Sequence, residues 1–171
     1  MYRFKLKIPD HKFHKYALNY QYQTNSVLND LSVSAKQKGY LTKTEFLKIC
    51  SWKTPRSKPL CVINNEEFIR EITFISFKTK SDQLRIEILR LLKGVSWPTA
   101  SAILHFCHKD QFPILDFRAL YTLGYKEVPK YNYSFWKNYT EYCRILGNQF
   151  NLDLRSVDRA LWQFSKEHQN R

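Results

Sequence analysis

The sequence is poor in glycine and cysteine. Its 171 residues include only 4 glycines and 4 cysteines. Few glycines together with many helix-capping residues favour an all-α fold. The cysteines, Cys50, Cys61, Cys107 and Cys143, form no closely spaced pairs, which argues against a disulfide framework or a zinc ribbon. Two histidine pairs three residues apart lack a third ligand at a recognisable spacing, so we expect no metal site.

The chain also lacks acidic residues relative to basic ones. It has 28 Lys and Arg against 15 Asp and Glu, which gives a formal net charge of +13. Residues 1–60 alone contain 12 Lys and Arg against 3 Asp and Glu. A charge excess of this size points to a polyanionic partner. Residues 52–59 contain two prolines together with Lys53, Arg56 and Lys58, and we interpret this segment as a loop that faces DNA rather than as a domain connection.

No apolar run reaches the length of a membrane span, and no signal-peptide pattern opens the chain. A hydrophobic content of 43% is enough for a packed core. We therefore expect a soluble, cytoplasmic monomer, with residues 1–171 as a single helical domain or as two small lobes.

Capping residues predict where several helices begin. Thr42 and Glu45 form a capping box, and Ser81, Ser134 and Asp153 are predicted N-caps. The helix after Ser134 is expected to cover residues 135–146 and to end at a glycine. In the last helix, the spacing predicts one buried apolar face, made of Leu154, Val157, Leu161 and Phe164.

Two further helices are predicted between these. Residues 26–38 have helical apolar spacing and are followed by Gly39. Asn64 or Asn65 can cap the next helix, in which Phe68, Ile72 and Ile75 are expected to face the core.

Residues 92–102 predict two helices joined by a tight turn. Gly94 follows an apolar periodic run and fits a helix-ending residue with positive φ. Pro98 fits the first turn of the next helix, where a missing N–H costs nothing. Small residues from Ala100 to Ala102 allow close packing of that helix. Such a turn directs backbone N–H groups at an anion, which in a basic protein we interpret as a phosphate.

The pattern of this turn followed by an aspartate resembles the helix-hairpin-helix DNA glycosylase superfamily. The matching residues are Leu92, Gly94, Val95, Thr99, Ala100, Pro113 and Asp116, with Leu123 and Gly124 closing the next short helix. The resemblance implies a compact all-α helical bundle with its hairpin-containing core at about residues 82–124. The second glycine of the family's hairpin is Ser96 here, and the lysine of strand-cutting members is Pro98. The resemblance therefore implies a monofunctional enzyme, which leaves an abasic site and needs no cofactor.

By the same resemblance, Asp116 is the candidate catalytic residue. Its carboxylate would stabilise an oxocarbenium-like sugar, activate a water molecule, or do both, while a base flipped out of double-stranded DNA is removed. From spacing alone, a helix cap is the better interpretation of Asp116, whereas the hairpin upstream favours catalysis, and one residue can serve both roles. Arg118 could contact a phosphate, pair with Asp116, or be an ordinary surface arginine. The candidate DNA-binding residues are Lys93, Gly94, Val95, Ser96, Trp97, Thr99, Arg118, Lys53, Arg56 and Lys58.

Aromatic residues make up 16% of the chain, and some of them can supply stacking faces for a flipped base. The candidates are Trp52, Trp97, Tyr121, Tyr131 and Tyr133, with Trp136 as a further possibility. Trp97 could equally anchor the turn against the core. The substrate base stays open among alkylated, deaminated, oxidised and hypermodified phage bases, as does the choice between DNA repair and phage defence. The main alternative function is a non-catalytic helix-hairpin-helix module that grips DNA for a partner protein, and a weaker one is an RNA-binding or nuclease accessory protein.

Overall fold

The computed structural model describes residues 4–21 and 26–169, and every regular element in these ranges is helical. The α-helices, in chain order, are α1 (Phe13–Leu18), α2 (Ser26–Lys38), α3 (Lys43–Lys53), α4 (Lys58–Val62), α5 (Glu66–Lys78), α6 (Asp82–Ile88), α7 (Trp97–Cys107), α8 (Phe117–Thr122), α9 (Tyr133–Phe150) and α10 (Leu154–His168). Short 3₁₀ helices cover Asp10–Lys12, Pro55–Ser57 and Leu89–Leu91. The all-α prediction is confirmed for this part of the chain. None of its helices is both long and apolar enough to cross a bilayer.

The chain divides into two compact units. Residues 23–112 form one, which we call the central unit. Residues 1–22 and 113–171 form the other, which we call the terminal unit. The predicted hairpin-containing core at residues 82–124 is thus divided between the two units.

Helix α7 is the core helix of the central unit. Nine of its eleven residues are buried, and it contacts α2, α3 and α6. Ala100, Ser101 and Ala102 are fully buried, as expected for small residues at close helix contacts. A helix that is apolar on nearly all sides fits such a central position.

Helix α10 organises the terminal unit and contacts α1, α8 and α9. Its four predicted apolar positions, from Leu154 to Phe164, are all buried. Asp153 caps the helix by accepting from the backbone N–H of Ser156 at 2.7 Å. A cap of this kind contributes about 1 kcal/mol to helix stability.

The other predicted caps are confirmed with one exception. Thr42 and Glu45 form the capping box of α3, and Ser81 caps α6. Helix α9, however, is capped by Asn132 rather than by Ser134. It also continues past Gly147 to Phe150, and its C-cap is Asn151, whose φ is +50°. Asn tolerates this left-handed conformation, so it can end a helix as glycine does.

Two other predictions from the sequence are wrong. Residues 52–59 are not a loop, because both prolines occupy the first turns of short helices, where a missing N–H costs nothing. In α5, Phe68 and Ile75 are exposed, and of the three predicted core residues only Ile72 is buried. The buried stripe of α5 includes Thr73 and Ser76, whose hydroxyl groups are satisfied internally, so the apolar spacing was misleading.

Candidate functional site

The predicted hairpin turn is present in the central unit. The N–H of Val95 donates to the carbonyl of Leu92 at 3.1 Å, and Gly94 has a φ of +83°. Positive φ at the third position of a four-residue turn is typical of a type II turn. A Cβ on Gly94 would lie 2.6 Å from Sγ of Cys61 and 3.1 Å from the carbonyl oxygen of Ser57. The turn therefore requires glycine for both its backbone conformation and its close approach to α4.

Asn64 holds the turn from the end of α4. Its Oδ1 accepts from the N–H of Lys93 at 2.8 Å, and its Nδ2 donates to the carbonyl of Lys93 at 2.9 Å. Nδ2 also donates to the carbonyl of Cys61. Asn65 is the residue that caps α5. Asn64, which the sequence offered as a possible cap, is instead the buried clamp of the hairpin.

The hairpin presents backbone N–H groups and two exposed side chains. Lys93 and Ser96 are exposed, and Ser96 is the N-cap of α7 but makes no capping bond with its side chain. Within the described ranges, the N–H groups of Gly94, Ser96 and Trp97 have no hydrogen-bond acceptor. Free N–H groups at a helix N-terminus form a natural site for an anion.

The side chains of Val95, Trp97 and Thr99 are buried. Thr99 shares a hydrogen bond of 3.1 Å with the hydroxyl of Thr54. Trp97 is only 6% exposed, and the guanidinium carbon of Arg90 lies 4.7 Å from its ring centroid. This burial favours the interpretation of Trp97 as an anchor of the turn over its use as a base-stacking surface.

The predicted basic cluster lies beside the hairpin. Ser57 approaches Gly94, and Thr54 is bonded to Thr99, so the segment that carries the cluster packs directly on the turn. Arg56 and Lys58 are exposed, and Lys53 is half-buried. The central unit thus brings the basic cluster, Lys93 and the hairpin N–H groups into one region.

Trp52, another predicted base-pocket residue, lines a cavity of about 550 Å³ in the central unit. Its ring packs perpendicular to that of Phe106 at 5.1 Å. The cavity walls comprise Leu28, Thr44, Leu47, Lys48, Ser51, Trp52 and Lys58.

Asp116 lies in the terminal unit, at the N-cap of α8. Its Oδ1 accepts from the N–H of Arg118 at 2.9 Å, which confirms the predicted cap. The side chain is half-buried, in contrast to residues 113–115, which are buried. One oxygen of this carboxylate is thus engaged by the backbone of its own helix.

The loop before Asp116 is fixed through both backbone groups of one residue, Ile114. The N–H of Ile114 donates to both carboxylate oxygens of Asp158, at 3.2 and 3.1 Å. The carbonyl of Ile114 accepts from the hydroxyl of Tyr139 at 2.9 Å. Burial raises the pKa of Tyr139 well above its ordinary value, so the hydroxyl stays protonated and donates. These contacts hold the backbone that carries Asp116 in place.

Arg118 does not form an ion pair with Asp116 in the described part of the chain. Its guanidinium carbon lies 5.2 Å from the ring centroid of Trp162 and 5.3 Å from that of Phe117. The contact between the two residues is the hydrogen bond from the backbone N–H of Arg118 to Oδ1 of Asp116.

Of the three candidate tyrosines in the terminal unit, Tyr131 has a pKa that is influenced by Asp116. Burial raises the pKa of Tyr131 to about 12, and the charge of Asp116 adds to this effect. The ring of Tyr121 is covered by the ammonium of Lys7 at 3.5 Å. Tyr133 begins α9, with its ring 6.1 Å from that of Trp136, which is itself buried in the core.

A polar stripe on α10 was not predicted from the sequence. Arg155, Asp158, Arg159 and Trp162 follow helical spacing and flank the apolar face of the same helix. Tyr20 packs on this stripe, with its ring 5.4 Å from that of Trp162. The i, i+3, i+4, i+7 spacing of these four residues was a signal that could have identified the stripe.

Among the described residues, no group of three or more His, Cys, Asp or Glu side chains is placed to hold a metal ion. The chain matches no known protein family, no curated protein and no solved structure.

Proposed function

We propose that the protein is a monofunctional DNA glycosylase in which Asp116 is the catalytic residue. The observation that carries this proposal is the placement of Asp116, a half-buried carboxylate on a peptide loop that Asp158 and Tyr139 hold rigidly. A catalytic carboxylate must keep its position while charge develops on the substrate, and a fixed backbone provides this.

In the proposed reaction, the bond between the base and C1′ of the sugar breaks, and the bonding electrons leave with the base. The sugar becomes oxocarbenium-like, and the negative charge of Asp116 stabilises it. A water molecule oriented by Asp116 adds to C1′ and gives its proton to the carboxylate, and the departing base takes up a proton from solvent and leaves as the neutral base. The product is an abasic site. Pro98 leaves no lysine amine at the position where strand-cutting relatives of the resembled family form a Schiff base.

DNA binding is assigned to the central unit. The free N–H groups of the hairpin and the adjacent cations Lys93, Arg56 and Lys58 are suited to hold backbone phosphates. Affinity that comes from such contacts falls steeply as salt rises. The proposal includes action as a monomer on double-stranded DNA in the cytoplasm, in DNA repair or in defence against phage DNA.

The test combines a broad substrate screen with matched variants. The protein is incubated with alkylated, deaminated, oxidised and phage-modified DNA, and mass spectrometry identifies released bases and abasic sites. Asp116→Asn should lower base release by about 10²–10⁴-fold. Because Asn is also a good N-cap, α8 should keep its stability in this variant. Asp153→Asn is the control, since it makes the same change at the N-cap of α10 and should leave base release unchanged.

The capping bond of Asp116 favours one alternative, a DNA-binding module without chemistry. In that case no DNA releases a base, salt-dependent binding persists, and Asp116→Asn behaves like Asp153→Asn. Base release that survives in Asp116→Asn would exclude Asp116 as the catalytic residue.

A further inference from the structure

Three arginines and two aromatic rings gather on the polar stripe of α10. The guanidinium carbons of Arg155 and Arg159 each lie 5.7 Å from the ring centroid of Tyr20. The ring of Tyr20 packs edge-on against Trp162, whose face is covered in turn by Arg118. We call this set of five residues the arginine cluster.

The arginine cluster lies close to Asp116. Burial raises the pKa of the Tyr20 hydroxyl. The positive charges of Arg155 and Arg159 lower this pKa, and the negative charge of Asp116 raises it. The geometric link is Arg118, whose backbone N–H donates to Oδ1 of Asp116 at 2.9 Å while its guanidinium group lies over Trp162.

Holding these cations together costs stability. Arg155 and Arg159 are one helical turn apart, where like charges repel. Burial lowers the pKa of Arg155, and the neighbouring Arg159 lowers it further, because both effects disfavour the charged form. Asp158 offsets part of this cost, but its carboxylate is also bonded to the N–H of Ile114. Costs of this kind are typical of positions kept for function rather than for stability.

We propose that Arg118, Arg155 and Arg159 bind a backbone phosphodiester of DNA next to the nucleotide held at Asp116. This proposal rests on the proposed function and deepens it. Guanidinium groups offer planar pairs of donors that match phosphate oxygens, and a phosphate would neutralise the excess positive charge of the cluster. The rings of Tyr20 and Trp162 hold the guanidinium groups in place through cation–π contacts.

The first test separates binding from folding. Arg159→Met keeps an unbranched side chain and removes the charged group that lies over Tyr20. Its midpoint of urea unfolding should equal or exceed that of the wild type, since like-charge repulsion is relieved. Its affinity for a duplex with a tetrahydrofuran abasic-site analogue, measured by fluorescence anisotropy, should fall at least tenfold. Lys137→Met removes the same charge from an exposed position on α9, and its affinity should change by less than twofold.

The second test locates the phosphate. Single phosphodiesters around the abasic-site analogue are replaced, one at a time, by neutral methylphosphonates. For the wild type, replacement of one phosphodiester next to the abasic-site analogue should cause a large loss of affinity. For Arg159→Met, replacement of the same phosphodiester should cause no further loss. The proposal would be overturned if the loss of affinity from Arg159→Met added to the loss from the methylphosphonate at every position tested. It would also be overturned if Arg159→Met were less stable than the wild type but bound DNA with unchanged affinity.

The outcomes separate this proposal from the glycosylase assignment. If the losses from Arg159→Met and from one methylphosphonate are non-additive but no DNA releases a base, the phosphate site is supported and the glycosylase activity is refuted. If base release depends on Asp116 but the losses are additive at every phosphodiester, the glycosylase activity is supported and the phosphate site is refuted.

Discussion

Replacement of Gly94 by alanine should destabilise the hairpin for two separable reasons. A φ of +83° costs an L-residue roughly 1–2 kcal/mol. The new Cβ would also lie 2.6 Å from Sγ of Cys61 and 3.0 Å from its backbone nitrogen, and overpacking of this kind costs about 1–3 kcal/mol. Together these effects should lower the free energy of unfolding by about 2–5 kcal/mol.

Gly39 offers a matched control in the same unit. Its φ is +79°, but a Cβ there would meet only the flexible end of Lys78, at 3.4 Å. Gly39→Ala should therefore show the backbone cost alone, about 1–2 kcal/mol. The difference between the two variants measures the steric part.

Urea denaturation of both variants gives this comparison directly. Adding Cys61→Ala to Gly94→Ala removes the closest contact and should recover part of the loss, so the two changes should be non-additive. If Gly94→Ala costs no more than Gly39→Ala, the close approach of the hairpin to α4 is wrong.

Two further predictions concern the central unit. Asn64→Asp removes the donor that serves the carbonyl of Lys93 and buries a charge, so we expect a loss of about 2–4 kcal/mol in urea denaturation. Asn65→Asp preserves a cap and should be nearly neutral, and equal losses for both variants would contradict the clamp. Burial lowers the pKa of His108 below its ordinary 6.5, with Arg85 adding to the effect, so the unfolded state binds more protons below that pH. The free energy of unfolding should therefore fall as pH drops below about 6.5. This slope should weaken in His108→Asn, and an unchanged slope would show that another group is responsible.

Features set by neighbouring residues could be predicted from the sequence. The capping box of Thr42, the cap at Asp153 and the positive φ of Gly94 each depend on contacts within a few residues, and all are present. The cap formed by Asp116 belongs to the same class.

Features that depend on distant contacts could not be predicted in this way. Asn64 and Lys93 are 29 residues apart, and Ile114 and Asp158 are 44 apart. No local pattern distinguishes a clamping Asn64 from a capping one, because both uses require the same side-chain atoms. The buried hydroxyl of Ser76 was missed for the same reason, since its acceptor lies on the next helix.

The order in which the two units can form during synthesis follows from the residue ranges that make up each unit. The central unit is one continuous stretch, whereas the terminal unit joins residues near the start of the chain to α8, α9 and α10. During synthesis, the hairpin and its Asn64 clamp can form before α10 has left the ribosome. Asp158 lies on α10, so the segment that carries Asp116 is fixed only when α10 has been synthesised and has packed. The carboxylate proposed to carry out the chemistry is thus fixed in place only after the hairpin that is proposed to bind DNA can already have formed.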